Sequence, residues 1–168
     1  MNFAKGRISV NWDISEYFNL NYKQDTVATE YLNKFIDAGH SINQMMIYNC
    51  FESSPLPNSV NYIKSKFGFL NNTNAAVNLI RSGQYLPLHQ DLYIKWKTLH
   101  NVKDINQIFR AIVMLENNRK GQILQIDANT VDEWQAGDWF GWVGSTEHAV
   151  YNFSLYDRYA IQITGLLK

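Results

Sequence analysis

The C-terminal half of the chain is a series of short apolar runs separated by glycine, asparagine and aspartate, and this pattern limits the folds open to it. The runs are rich in valine, isoleucine, tyrosine and tryptophan, which favour strands. Several strands at this spacing indicate an all-β sandwich or barrel. The predicted strands are Ala75–Arg81, Tyr85–Leu92, Ile105–Leu115, Gln122–Asp127, Asp138–Val143, Glu147–Phe153 and Arg158–Thr164.

The N-terminal part of the chain has a more mixed pattern. Apolar residues at helical spacing predict helices over Thr26–Ala38 and Ser59–Phe67, and a glycine follows each of them. Short apolar runs predict strands over Asn43–Phe51 and near Ile8–Trp12. We therefore expect one domain over residues 1–168, in which residues 1–73 support a barrel core of residues 74–168.

The charge and cysteine content bear on partners and compartment. Lysine plus arginine equals aspartate plus glutamate at 15 each, without the basic excess of a nucleic-acid-binding protein. Cys50 is the single cysteine, which suits a reducing compartment, and no apolar stretch reaches the length of a membrane span. We expect a cytoplasmic protein that binds neither nucleic acid nor membrane; its asparagine-rich composition is typical of AT-rich bacterial or viral genomes.

The run from Tyr85 to Leu92 contains a candidate pair of metal ligands. On a strand, alternate side chains share a face, so Tyr85, Pro87, His89 and Asp91 are expected to point one way and the leucines the other. This places an imidazole and a carboxylate side by side. A His-x-Asp pair is short and common, however, so a metal site needs a third ligand.

His148 is the candidate third ligand. We read residues 147–164 as a hairpin with the connection Leu155–Asp157, in which His148 faces Thr164, Asn152 faces Ala160 and Ser154 faces Arg158. A polar hairpin face is costly to bury unless a metal and a charged ligand satisfy it. The predicted polar face carries His148, Val150, Asn152, Ser154, Arg158, Ala160, Gln162 and Thr164, and the apolar face carries Ala149, Tyr151, Phe153, Tyr159, Ile161 and Ile163.

The candidate residues suit one kind of chemistry. Two histidines and one carboxylate on one side of a ferrous ion leave positions open for other ligands. A co-substrate with a distant second carboxylate would need a cation deeper in the barrel. Arg158 suits that task because a guanidinium binds a carboxylate with two parallel hydrogen bonds and stays charged.

With this spacing, residues 83–165 resemble the Fe(II)- and 2-oxoglutarate-dependent dioxygenase superfamily. The stretch from Gly83 to Asp91 is similar to the prolyl-hydroxylase-like branch, and residues 148–165 are similar to both that branch and the phytanoyl-hydroxylase-like branch. The resemblance implies a mainly β fold with flanking helices, a double-stranded β-helix (jelly-roll, cupin-like barrel). It also implies bound Fe(II) and hydroxylation of a C–H bond in a peptide side chain or small molecule, with decarboxylation of 2-oxoglutarate to succinate.

The resemblance also assigns roles to residues. His89, Asp91 and His148 would hold the iron and Arg158 the distal carboxylate of 2-oxoglutarate, with a hydrogen bond from Tyr85. Some relatives have a serine two residues after the arginine, where this chain has Ala160. The secondary co-substrate contacts would then fall to Asn152, Ser154 or Thr164.

Two questions stay open at the level of sequence. Arg110, within an apolar strand, either faces the cleft or extends to solvent or an acidic partner. The same barrel could also be a cupin-like ligand- or metal-binding module without oxygenase activity, which would not need Arg158. A cupin dioxygenase that uses a metal without a co-substrate usually has more histidine ligands than this sequence offers.

Overall fold

The computed structural model describes residues 3–168, which form eleven strands, three α-helices and two short 3-10 helices. The strands are β1 Ala4–Arg7, β2 Lys23–Asp25, β3 Ile47–Phe51, β4 Leu70–Ile80, β5 Gln84–His89, β6 Ile108–Met114, β7 Gln122–Ile126, β8 Asn129–Val131, β9 Asp138–Val143, β10 His148–Asn152 and β11 Arg158–Leu167. The helices are α1 Thr29–Asp37, α2 Asn58–Ser65 and α3 Ile94–His100, with 3-10 turns at Ile14–Tyr17 and Ile105–Gln107.

The strands form two antiparallel sheets that face each other as a jelly-roll barrel. The large sheet has the order β1-β9-β6-β11-β4-β3-β2, and the small sheet has the order β5-β10-β7-β8. Neighbouring strands in each sheet are mostly distant in sequence, as expected for a double-stranded β-helix and not for a meander. The prediction of a mainly β fold with flanking helices is confirmed.

Helix α2 covers the outer face of the large sheet. Its apolar residues Val60 and Ile63 share one buried cluster with Ile161 and Ile163 of β11. Each such side chain contributes about 1.5–3 kcal/mol when it is buried. The alternate residues of β11 point instead into the barrel, so the predicted division of this strand into two faces is correct.

The predicted hairpin of residues 147–164 is wrong. Strand β10 pairs with β5 and β7 in the small sheet, whereas β11 pairs with β4 and β6 in the large sheet. Residues 153–157 therefore cross from one sheet to the other. A hairpin and a crossing between sheets both give strands with alternating polar and apolar residues, so the sequence pattern could not distinguish the two connections. His148 and Arg158 both face the interior, but from opposite sheets.

Several predicted boundaries also differ from the structure. The short N-terminal strand is Ala4–Arg7, which pairs with β9, and not Ile8–Trp12. The predicted strand Tyr85–Leu92 ends at His89, and α3 follows where no helix was expected. Within residues 3–168, no helix combines the length and apolar character that crossing a bilayer requires.

Candidate metal centre

His89, Asp91 and His148 come together because β5 and β10 are neighbours in the small sheet. His89 and His148 are paired across these two strands, and their ring centroids are 4.5 Å apart. Asp91 lies two residues beyond the end of β5 and directs one carboxylate oxygen, Oδ2, to within 3.3 Å of His148 Nε2. One ligand atom from each of the three residues lies within 4.8 Å of the other two, close enough to hold one metal ion.

Both imidazoles are held in the tautomer that a metal ion requires. His89 Nδ1 donates to the carbonyl of Pro87 at 2.7 Å, and His148 Nδ1 donates to the carbonyl of Thr146 at 3.2 Å. Because a carbonyl only accepts, the proton of each neutral ring lies on Nδ1, and the lone pair lies on Nε2. Such hydrogen bonds to backbone oxygens orient histidine ligands in metal sites.

The protonation states of the three side chains also suit a metal ion. Burial lowers the pKa of His148 to about 4 and lowers the pKa of His89, so both rings are neutral near pH 7. Burial alone would raise the pKa of Asp91, but Arg110 and the two imidazoles outweigh it and hold that pKa below its ordinary value. Neutral imidazoles and an ionised carboxylate are the forms that bind metal.

The donor set narrows the choice of metal. Two imidazole nitrogens and one carboxylate oxygen suit divalent transition metals such as Fe(II), Mn(II), Co(II) or Zn(II) better than Mg²⁺ or Ca²⁺, which prefer oxygen ligands. Three protein ligands leave coordination positions for small molecules. The residues therefore form a candidate metal centre with room for exchangeable ligands.

An inner cavity borders His148, one of the three candidate ligands. It measures about 50 Å³ and is mostly apolar. Its walls include His148 and Val150 from the small sheet and Arg158, Ala160 and Gln162 from the large sheet. This volume holds only a few water molecules, so a larger ligand would need the lining side chains to move.

Arg158 places a buried positive charge in this cavity. The residue is 5% exposed, its Nε has no hydrogen-bond partner, and its guanidinium lies over the ring of Trp134 at 5.3 Å. One terminal nitrogen, Nη2, contacts Met114 Sδ at 3.5 Å. Burial lowers the pKa of Arg158 to about 10. Within residues 3–168, no acidic side chain forms an ion pair with it.

An outer cleft opens on the opposite side of the candidate ligands. It measures about 430 Å³, and His89 and Asp91 form part of its wall. The remaining wall comes from residues 25–28, from residues 90–96, which include Tyr93 and Trp96, and from Arg110. The candidate metal centre thus separates a narrow inner compartment from a wide outer one.

Arg110 lies in the wall between the two compartments. Its Nη1 donates to Asp91 Oδ2, its Nε lies 3.4 Å from Thr164 Oγ1, and its guanidinium covers the ring of Tyr93 at 4.8 Å. Both alternatives left open by the sequence apply in part, because Arg110 pairs with an acid and also lines the cleft. Thr164 contacts this arginine, and the predicted pairing of Thr164 with His148 is wrong.

Tyr85 does not share the face of His89. Its partner on β10 is Tyr151, and a register shift between His148 and Val150 separates this pairing from the pairing of the two histidines. The ring of Tyr85 stacks on Tyr151 at 5.9 Å, and its hydroxyl bonds to His40 Nδ1 at 2.6 Å. The predicted alternation from Tyr85 to Asp91 is wrong because it assumed a regular strand. Tyr85 is not part of the inner cavity wall.

Asn152 and Ser154 form a closed hydrogen-bond cluster at the far end of β10. Asn152 Nδ2 donates to the carbonyls of Ile80 and Tyr156 at 2.8 Å each, and Asn152 Oδ1 accepts from Ser154 Oγ at 2.7 Å. Neither residue lines the inner cavity. Their polar groups stabilise the crossing between sheets, whereas the sequence pattern suggested a contact with the co-substrate.

Trp142 is a cavity residue that the sequence analysis did not single out. Its ring lies 4.7 Å from that of His148, and it lines the inner cavity. Its buried Nε1 has no hydrogen-bond partner. A tryptophan in an apolar strand gives no signal of such a position. Trp142 of β9 lies opposite Arg110 of β6, and this pairing depends on the register of the two strands, which the sequence does not give.

The sequence matches no protein-family model and no curated protein. Among solved structures, the fold is similar to a prolyl-4-hydroxylase from Pseudomonas putida, with a TM-score of 0.57 and 10% identity over 92% of this chain and 97% of that one.

Two other matches are weaker. A predicted oxalate decarboxylase from Thermotoga maritima has a TM-score of 0.43 and 13% identity, over 73% of this chain and 82% of that one. A cupin protein from Bacteroides fragilis has a TM-score of 0.41 and 17% identity, over 58% and 68% of the two chains. At such identities a likeness concerns the fold alone. The chain therefore has the double-stranded β-helix, or cupin-like, fold.

Proposed function

We propose that the protein is a non-haem Fe(II)- and 2-oxoglutarate-dependent oxygenase that hydroxylates a C–H bond of a small molecule or peptide side chain. The observation that carries the proposal is Arg158. Its buried guanidinium lines the cavity that His148 also lines, and no acidic side chain among residues 3–168 pairs with it. An isolated buried charge is costly, so its retention in an apolar wall indicates an anionic ligand.

His89, Asp91 and His148 would hold the iron. When bound, Fe(II) would supply the activation of dioxygen and the oxidative decarboxylation of 2-oxoglutarate. The protein contributes the pre-formed arrangement of the ligands, because the Nδ1 hydrogen bonds fix both imidazole rings before any metal binds. Such orientation by surrounding groups is what a metalloprotein adds to the chemistry of its ion.

The inner cavity would bind 2-oxoglutarate. Arg158 would hold the distal carboxylate with two hydrogen bonds. Apolar side chains such as Ile112 and Leu124 line the space between the charged groups and exclude water. A five-carbon diacid would thereby be oriented with its 2-oxo acid end toward the candidate metal centre.

The outer cleft would bind the substrate. It borders the same side chains, His89 and Asp91, from the solvent side, so a substrate there would approach the iron without displacing the co-substrate. Tyr93 and Trp96 offer aromatic surface for a peptide side chain or a small molecule. The proposed location of the protein is the cytoplasm, where Fe(II) and 2-oxoglutarate are available.

The proposal is tested by following succinate after Fe(II) and 2-oxoglutarate are added to the purified protein in air. We expect slow succinate formation without added substrate, and its loss in His89→Ala and Asp91→Ala. Arg119→Gln, which removes an exposed charge far from the centre, is the matched control and should retain the wild-type rate. No succinate from the wild-type protein, or the same rate in all variants, would contradict the proposal.

A second measurement separates the proposal from a cupin-like metal-binding module. Ligands that bind only the folded state raise the melting temperature. We expect Mn(II) to raise it, and 2-oxoglutarate to raise it further only when Mn(II) is present. An effect of Mn(II) alone, with no additional effect of 2-oxoglutarate, would instead indicate a metal-binding module without this co-substrate.

A further inference from the structure

Arg110 is a second, partly buried arginine, and its charge is balanced by the carboxylate of Asp91, a candidate metal ligand. Its side chain is 14% exposed. Within residues 3–168, its one ion-pair partner is Asp91. It lines both the inner cavity and the outer cleft, so its guanidinium borders the compartment proposed for the substrate.

The oxygen that Arg110 contacts is also the one nearest the centre of the candidate ligands. Asp91 Oδ2 accepts from Arg110 Nη1 and lies 3.3 Å from His148 Nε2. A metal ion held by the three side chains would draw on the negative charge of this carboxylate. The guanidinium of Arg110 and the divalent cation would then share the carboxylate of Asp91, the one acidic partner of Arg110 among residues 3–168. An arginine cannot escape this by losing its proton.

The remaining charges of the site do not compensate Arg110. A divalent metal, Asp91 and Arg158 together carry two positive charges, and 2-oxoglutarate carries two negative charges. Arg110 is thus one positive charge in excess. The outer cleft adds Lys95 and Asp25, whose opposite charges cancel, so the excess of one positive charge remains.

We propose that Arg110 binds a carboxylate of the primary substrate, and that the substrate is an organic acid or a peptide with a free carboxylate near the oxidised carbon. The planar guanidinium is suited to a carboxylate, and the ring of Tyr93 holds it in place at the cleft wall. This inference rests on the proposed function, since the charge balance includes the metal and 2-oxoglutarate.

The test uses propionate as a minimal carboxylate and propionamide as its neutral counterpart. Each is titrated into protein loaded with Mn(II) and 2-oxoglutarate, and binding is followed by tryptophan fluorescence. We expect propionate to bind the wild-type protein at least about tenfold more tightly than propionamide, because a buried charge pair discriminates strongly against a neutral ligand. Arg110→Gln should abolish this preference, Arg110→Lys should retain part of it, and Arg119→Gln should leave it unchanged.

Three results would overturn the inference. The first is equal binding of propionate and propionamide to the wild-type protein. The second is a tenfold weaker binding of 2-oxoglutarate in Arg110→Gln, which would make Arg110 a co-substrate residue. The third is a preference for propionate that persists in Arg110→Gln while Mn(II) binding falls, which would make Arg110 a positioning residue for Asp91.

The proposed function fails separately from this inference. Its failure would appear at the loading step, as an absence of Mn(II)-dependent 2-oxoglutarate binding in the wild-type protein. The inference about Arg110 fails by itself when 2-oxoglutarate binds normally and propionate shows no preference that depends on Arg110.

Discussion

Strand β10 begins and ends in buried polar clusters, but the two clusters differ in how their hydrogen bonds are satisfied. At the Asn152 end, every donor and acceptor of the side-chain amide has a partner within the protein. In the inner cavity that His148 lines, Arg158 Nε and Trp142 Nε1 are buried without a partner among residues 3–168. Native proteins rarely leave such groups unpaired unless a ligand or water completes them. The comparison separates polar residues that stabilise the fold from polar residues that, under the proposed function, would be paired by a ligand.

Among the variants that test this comparison, Arg158→Met is expected to cause the largest change in ligand affinity. We expect the affinity for 2-oxoglutarate in the presence of Mn(II) to fall by about 100-fold, because a charged hydrogen-bonding partner is lost in a dry cavity. The free energy of unfolding of the ligand-free protein should stay equal or rise, since the charged form of Arg158 is already disfavoured by burial. Isothermal titration and urea denaturation measure the two quantities.

A conservative variant serves as the control for Arg158. Lysine keeps the charge but lacks the planar pair of donors, so Arg158→Lys should recover only part of the affinity. Normal 2-oxoglutarate binding by Arg158→Met would remove the observation on which the proposed function depends.

Asn152→Ala should show the reverse pattern. The side chain is fully buried and makes four hydrogen bonds, so its loss removes one donor from each of the carbonyls of Ile80 and Tyr156 and two contacts from Ser154. We expect a decrease of about 2–3 kcal/mol in the free energy of unfolding, measured by urea denaturation. The affinity of the folded variant for Mn(II) and 2-oxoglutarate should stay within about threefold of the wild-type value. A selective loss of 2-oxoglutarate binding would show that Asn152 belongs to the ligand site.

Tyr85→Phe should have the smallest effect. The change removes the hydrogen bond from the hydroxyl to His40 but keeps the ring against Tyr151. We expect a loss of about 1 kcal/mol in the free energy of unfolding and unchanged affinity for 2-oxoglutarate. A clear fall in that affinity would mean that Tyr85 reaches the inner cavity and that the register shift next to it is absent in solution.

The sequence predicted those parts of the site that depend on residue type and alternation. His89, Asp91 and His148 could be singled out because their chemistry is distinctive, and the two faces of β11 followed from alternate apolar residues. The partners of β10 and β11 could not be predicted, because a crossing of five residues and a hairpin connection have the same local pattern. The displacement of Tyr85 depends on one irregularity between paired strands, which no single strand reveals.

The residues whose role depends on burial also escaped prediction. Trp142 looks like an ordinary core residue, and only its unpaired Nε1 in the folded protein sets it apart. Arg110 was noticed as a charge within an apolar strand, but its link to Asp91 joins β6 to the segment after β5. Contacts of this kind depend on which strands are neighbours in the sheets, and the sequence of a single strand does not predict its neighbours.

The crossing between β10 and β11 has a consequence for the choice among dicarboxylic acids of different length. His89 and His148 lie in the small sheet, and Arg158 lies in the large one. The distance between the two sheets would therefore limit the length of a diacid that contacts both. Side chains that line the cavity between the sheets, such as Leu124 and Ala160, would set the space available to that diacid. Enlarging Ala160 to valine should shift the preference toward a diacid of different carbon number without touching any charged group.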